Sequence, residues 1–240
     1  MPTIRSPRRI PDPRRARRLP AGPSIVVVGD LVLDVVLAPG IDLERGTDVP
    51  GRVRLRQGGS ATTTARWLGR LGSRSSLVCA VGRDAIGRSL VAVVAGDGVQ
   101  VRAVRVAGAP TGRIGVLVEP DGERSFIQDR GAALRLRPED LKTEWFAGAD
   151  AVHLPAYSLL DQPLGLAGMA ATRLARGAGA LVTVDLSSTA PRRPFSAAPW
   201  RATARPCATC RLLLQSYRWA DRATGASPLE MPRTPRTLRR

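Results

Sequence analysis

Ile25-Val-Val-Val-Gly-Asp-Leu-Val-Leu-Asp34 begins with four β-branched residues and breaks at Gly29-Asp30. Such a run has no polar alternation, so it does not suit a sheet with one wet face. It fits a strand buried on both faces, as strands of parallel sheets are. Gly29-Asp30 then reads as a turn at the strand's C-terminal end. Similar apolar runs recur at 77–81, 151–154 and 180–185, the last ending in Asp185. Helical patterns lie between them. One runs over 60–71, with Ser60 as a candidate N-cap and Gly72 as C-cap. Others run to about 94 after the turn 82–87, and over 163–176. Strands alternating with helices predict an α/β fold: a parallel sheet with helices on both faces. Ligands of such sheets bind beyond the carboxyl ends of the strands, where Gly29-Asp30, Gly82 and Asp185 fall.

Other segments follow a different rhythm. Arg52-Val-Arg-Leu-Arg56 alternates strictly and reads as a half-exposed strand. Residues 101–106 and 114–118 are strands. Glu119-Pro-Asp-Gly122 is a turn, and 123–128 the returning strand of a hairpin. Pro138-Glu-Asp-Leu141 opens a short helix. Trp67 and Leu71, four apart on the helical pattern, are expected in the core, and His153 is expected to be a buried strand residue.

The 240 residues carry 37 Lys and Arg against 20 Asp and Glu, a net charge of +17. Residues 1–23 hold +6 and residues 191–240 hold +9, leaving +2 on 24–190. The middle is therefore a near-neutral domain that need not bind nucleic acid. The ends are Pro/Arg-rich flanks without a hydrophobic period, and 1–23 is expected to be disordered. There is one Lys, Lys142, and no Asn, a bias that a GC-rich gene would produce. Three cysteines are too few for a disulfide scaffold, which points to a reducing cytoplasm. Cys207-Ala-Thr-Cys210 has the spacing of half a zinc site or a redox pair, but no second pair exists and the one His is distant. No metal role is assigned. The apolar run after residue 24 contains Asp30 and Asp34, which argues against both a membrane span and an export signal.

Four segments carry chemistry when taken together. They are 26–34 with its two carboxylates; Gly58-Gly59-Ser-Ala-Thr-Thr-Thr-Ala-Arg-Trp-Leu-Gly-Arg-Leu-Gly72; Val81-Gly-Arg-Asp-Ala-Ile-Gly-Arg-Ser-Leu90; and the hairpin from Pro110 to Ala132. Singly, an Asp at a strand end is commonly a turn or cap residue, and Gly-Gly commonly a loop. As a set, in this order and spacing, they resemble the ribokinase-like (PfkB) carbohydrate kinases over about residues 24–190. The resemblance implies a Rossmann-type parallel sheet with a small β lid near 33–57 and 112–130. It implies ATP-dependent phosphorylation of a sugar or nucleoside hydroxyl, with magnesium, and pairing of two copies through their lids. It places Asp34, Gly58, Gly59 and Thr63 at the substrate, with Asp30 beside Asp34 and Tyr157 nearby. A carboxylate accepts sugar hydroxyls, and glycines let a backbone approach the ring. Gly82–Ser89 nearly fits a phosphate loop, with Arg88 where Lys belongs; the family reads it as a strand–turn–helix corner.

The chain departs from the family pattern at three places. Thr63 stands where the family has Asn, and Ala133 ends what is often Gly-Ala-Asn. After Ser188 the family pattern stops. Neither the Asn-x-x-Glu motif that helps hold magnesium nor the Gly-Ala-Gly-Asp motif with its catalytic base is present. Asp221-Arg-Ala-Thr-Gly-Ala-Ser227 echoes the second but ends in Ser. The C-terminal part of the fold is thus expected to be missing, as a change of reading frame after about Ser188 would explain. No catalytic residue is assigned, and the chain is expected to be inactive. The competing reading is a non-catalytic sugar-binding or nucleic-acid-associated protein that uses its basic flanks.

Overall fold

The structure is a computed structural model that describes residues 22–185. Its larger sheet has five strands, all parallel, in the order β5-β4-β1-β8-β9. These are β1 (Ser24–Val28), β4 (Arg74–Gly82), β5 (Gln100–Val106), β8 (Ala151–Pro155) and β9 (Leu181–Asp185). Connecting helices are α1 (Ser60–Arg70), α2 (Ala85–Gly96), α3 (Tyr157–Leu160) and α4 (Leu164–Gly177). This is the ribokinase-like α/β architecture expected from the sequence.

The unbroken apolar strands have the cause expected of them. Val26, Val28, Val78 and Ala80 pack with Leu164, Ala167 and Ala171 of α4. Val27, Leu77, Cys79 and Val81 point the other way, to Ala61 and Ala65 of α1 and Leu90 and Val94 of α2. Both faces are covered, so both parities of each central strand must be apolar. Phe146, Leu136 and Leu154 are fully buried on the α4 side, each contributing about 1.5–3 kcal/mol relative to exposure.

A second sheet of four strands has the order β3-β2-β6-β7. It consists of β2 (Val32–Pro39), β3 (Gly51–Gly58), β6 (Thr111–Val118) and β7 (Arg124–Gly131). β2 leaves β1 after only Gly29 to Leu31, so the small sheet springs directly from the carboxyl edge of the large one. β6 and β7 form the expected hairpin, with Val116 opposite Phe126.

Several local expectations need correction. The N-cap of α1 is Gly59, not Ser60, and its side-chain acceptor comes from elsewhere in the chain. Trp67 and Leu71 are 57% and 77% exposed, not core. The buried positions of α1 are Ala61, Thr62 and Ala65, so residues 67 and 71 fall on its outer face, where Arg70 lies over the Trp67 ring. The element at Pro138–Asp140 is a single 3-10 turn. His153 is half-buried in β8, with Nδ1 2.9 Å from Thr183 Oγ1; burial holds its pKa below the usual imidazole value. Among the described residues no helix is long and apolar enough to cross a membrane. Most of both basic flanks, Cys207-x-x-Cys210 and the segment Asp221–Ser227 lie outside the described residues.

Candidate active site

The crossing from β1 to β2 sets two carboxylates at the carboxyl edge of the large sheet. Asp30 is 8% exposed and already engaged. Its Oδ1 accepts the Ala61 N–H at 3.1 Å, and its carbonyl accepts the Thr62 hydroxyl at 2.7 Å. Asp30 therefore caps α1 from a distance, supplying the acceptor that the first turn lacks and a negative charge at the helix's positive end. Asp34, four residues on, is half-buried and held by no comparable bond among the described residues. Burial, and then the neighbouring Asp30 charge, push its carboxyl above the ordinary Asp range.

The paired glycines are explained by these same carboxylates. Gly58 ends β3 opposite Val32, and a Cβ there would be driven into the Asp34 carboxylate. Gly59 has φ of +104°, a conformation that L side chains rarely adopt, and a Cβ would meet the Asp30 carbonyl. The pair thus lets β3 turn into α1 while pressed against both acids. Thr63 follows on the first turn of α1, and its N–H donates to the Gly59 carbonyl at 2.9 Å.

Asp30, Asp34, Gly59, Thr63 and Tyr157 all line one open cleft of about 530 Å³ between the two sheets. Gly58 lies behind Asp34 and is not on the cleft wall. Asp185, at the end of β9, joins the lining, whereas Gly82 packs against Thr111 and does not. The small sheet adds Ile114, Phe126, Gln128 and Arg130, none of which was singled out from the sequence. Alternation along 124–130 could have put Phe126, Gln128 and Arg130 on one face, together with Arg124, which also lines the cleft. Which face meets the cleft depends on the β6–β7 register.

Arg130 is the most constrained of the additions. It is 8% exposed, with Nη2 3.6 Å from Asp30 Oδ2 and Nη1 3.5 Å from Asp161 Oδ2. Nη1 also donates to the Tyr157 carbonyl at 3.5 Å, and the guanidinium lies 5.8 Å from the Tyr157 ring centre. Nη2 is buried without a hydrogen-bond partner among the described residues.

The near-phosphate loop at 82–89 is filled from within. Asp84 caps α2, accepting the Gly87 N–H at 2.7 Å, and also accepts the Thr111 N–H and hydroxyl at 2.7 and 2.6 Å. Burial raises its carboxyl, but these bonds and Arg113 outweigh that and hold it below the ordinary range. The anion at this helix end is the protein's own. Among the described residues no group of three His, Cys, Asp or Glu could hold a metal ion.

Comparison with known proteins agrees with this geometry. A family model described as pfkB family carbohydrate kinase matches residues 23–201. A probable fructokinase-4 of Arabidopsis thaliana is 31% identical over 165 residues, 67% of this chain and 49% of that protein. Fructokinase-2 of Solanum habrochaites is 32% identical over the same coverage of this chain, and 49% of its own. The chain spans about half the length of these relatives. Among solved structures, a fructokinase from Xylella fastidiosa aligns at a TM-score of 0.60 with 28% identity, covering 69% of this chain and 52% of that one. An adenosine kinase from Sinorhizobium meliloti aligns at 0.61 with 24% identity, over 69% and 57%, and shows the shared fold. Since the matched span takes in every described strand and helix, the chain belongs to the pfkB family of carbohydrate kinases.

Proposed function

We propose that the chain is the sugar-binding portion of a kinase that moves a phosphoryl group from ATP to a hydroxyl of a sugar or nucleoside, with magnesium. The observation that carries this reading is the convergence of Asp34, Gly59, Thr63 and Tyr157 on one cleft beneath the small sheet. In it the Asp34 carboxylate accepts substrate hydroxyls. Gly58 keeps that carboxylate in place, and Gly59 lets the backbone come close. Thr63 and Tyr157 border the ring, and Asp30 orders the site by capping α1. The small sheet is a lid that excludes water. Fructose is the first sugar to test, given the printed names of the relatives. A solved fructokinase from Xylella fastidiosa with bound ATP makes ATP the nucleotide of choice.

As a 240-residue chain it transfers no phosphate, because the sequence offers no Gly-Ala-Gly-Asp base. A change of reading frame after about Ser188 accounts for the loss of that motif and for the Arg/Pro-rich composition of 191–240. Nucleotide sequence downstream of codon 190 is then expected to encode Gly-Ala-Gly-Asp in another frame. Two copies pair through the apolar outer face of the lid. The buried thiol of Cys79, pushed up to about 12 by burial, is inert and suits the cytoplasm to which we assign the chain.

Isothermal titration calorimetry against a sugar panel tests the binding, and ADP release tests the chemistry. A sugar is expected to bind, about 10- to 100-fold more weakly after Asp34→Ala, the range for losing charged hydrogen bonds. ADP release is expected to be absent. Sugar-dependent ADP release that Asp34→Ala abolishes would overturn the claim of inactivity. Failure of every sugar and nucleoside to bind would overturn the site itself.

A further inference from the structure

The alternating segment Arg52-Val-Arg-Leu-Arg56 is not used by the reading above. In β3 its three arginines share one face, and Val53 and Leu55 take the other. Register places Arg56 opposite Asp34, Arg54 opposite Val36 and Arg52 opposite Ala38. With Arg124 of β7 they line a groove of about 470 Å³ floored by Val36 and Val116. Asp34, Arg124 and Phe126 belong to both this groove and the sugar cleft, so the two are continuous.

The groove holds four guanidinium groups against one carboxylate. None of the four has an ion pair among the described residues. The other lid acids lie elsewhere. Asp42, Glu44 and Asp48 are in the β2–β3 loop and do not line the groove, Glu119, Asp121 and Glu123 are in or beside the β6–β7 turn, and Asp129 is opposite Arg113. Residues 1–21 and 186–240 bring no net negative charge, with Asp12, Asp221 and Glu230 as acids against eighteen Arg. A codon bias explains Arg in place of Lys. It does not explain three on one face with Asp34 as the single acid lining their groove.

We propose that the substrate of this site is an anionic sugar, one whose carboxylate or phosphate group lies in the arginine groove while Asp34 grips its hydroxyls. This rests on the sugar-kinase reading and narrows it. Like charges crowded along a groove repel, and an anion relieves that repulsion. The planar guanidinium fork matches both carboxylate and phosphate oxygens in a bidentate fashion. Successive arginines follow at about 7 Å, the two-residue step of a strand. A sugar at Asp34 therefore has Arg56 beside it and Arg54 one step further.

Calorimetry on the full chain compares fructose with fructose 6-phosphate, and glucose with glucuronate, with inorganic phosphate as a free-anion control. The anionic member of at least one pair is expected to bind at least about tenfold tighter, a difference of one good charged contact. That ratio is expected to shrink at high salt. In R52Q/R54Q it is expected to fall close to one. R54K keeps the charge but not the fork and is expected to retain part of it. Circular dichroism confirms that each variant is folded; if the double variant is not, R54Q alone is read. The arm that responds tells phosphate from carboxylate. Equal binding within both pairs, or a ratio that survives R52Q/R54Q, overturns the proposal and leaves the sugar site standing. Inorganic phosphate binding as tightly as the phosphosugar overturns it in favour of a free anion. A single-stranded oligonucleotide that outcompetes the sugars and is lost in R52Q/R54Q overturns it in favour of nucleic acid. If no sugar binds and Asp34→Ala changes nothing, it is the sugar-kinase reading that fails.

Discussion

Asp34 shows how one residue is held against its own preference. Its carboxyl is pushed above the ordinary range by burial and by Asp30, so the folded chain binds that proton more tightly than the unfolded chain. The sign follows from linkage. Stability from this group is full below the ordinary carboxylate value and is lost as pH rises through the raised one. At neutral pH the ionised side chain therefore destabilises the fold. Asp34→Asn is expected to raise the thermal midpoint at pH 7 by about 2 °C while weakening sugar binding. A fall in the midpoint, measured by scanning calorimetry, would contradict that. Sugar binding by the wild type is also expected to fade on acidification at a higher pH than an ordinary Asp would give. Asp30 and Asp34 look alike in the sequence, four residues apart at a strand end. Their separate roles were not legible there, because the Ala61 N–H and Arg130 that engage Asp30 come from 31 and 100 positions away.

At the scale of elements, strand and helix identity followed from pattern, and capping did not. α2 begins at Ala85, inside the stretch 82–87 that reads as a turn, and Asp84 does more than cap it. Its carboxylate ties the helix to Thr111 at the start of β6, joining the large sheet to the lid. Asp84→Ala is expected to cost about 1–2 kcal/mol, a cap's usual contribution, and to loosen the lid strand. Urea denaturation at pH 7 measures the first, and hydrogen exchange at Thr111 the second. Because the Asp84 carboxyl is held low, its contribution is full above the ordinary carboxylate range. It is lost as pH falls through the lowered value, so the gap between wild type and variant should close in acid. β3 was legible from strict alternation. β2 was legible only through the family resemblance, because Val32–Pro39 is apolar at nearly every position. One of its faces borders the cleft and groove, and the other is the apolar outer face of the lid.

For the whole molecule, that outer face is the notable surface. Leu37, Val53, Leu55 and Ile127 are exposed on it, Ile127 at 80%. Register sets Leu37 opposite Val53 and Val35 opposite Leu55, so the apolar residues form a continuous band behind the arginine groove. Such a band on a small sheet favours burial against a second copy. Ile127→Asp is expected to shift the chain from dimer to monomer in sedimentation velocity without removing sugar binding. A wild type that sediments as a monomer at high concentration would end the dimer proposal. The charge of +17 has a place in the same picture: most of it lies on the flanks, and the part that lies on the folded body includes the four arginines of one groove.

By itself the sequence determined the layered architecture, since burial on both faces requires apolar residues at both parities of a central strand, and that requirement is written in consecutive positions. It also determined the family and the set of residues to look at. The tertiary structure decided which of them meet. Only the register of β3 on β2 and β7 on β6 brings Asp34, Arg54, Arg124 and Arg130 to one side of the lid. A shift of one residue would turn each strand's side chains to the other face. Pairing across strands depends on contacts between distant parts of the chain, and no local pattern records them.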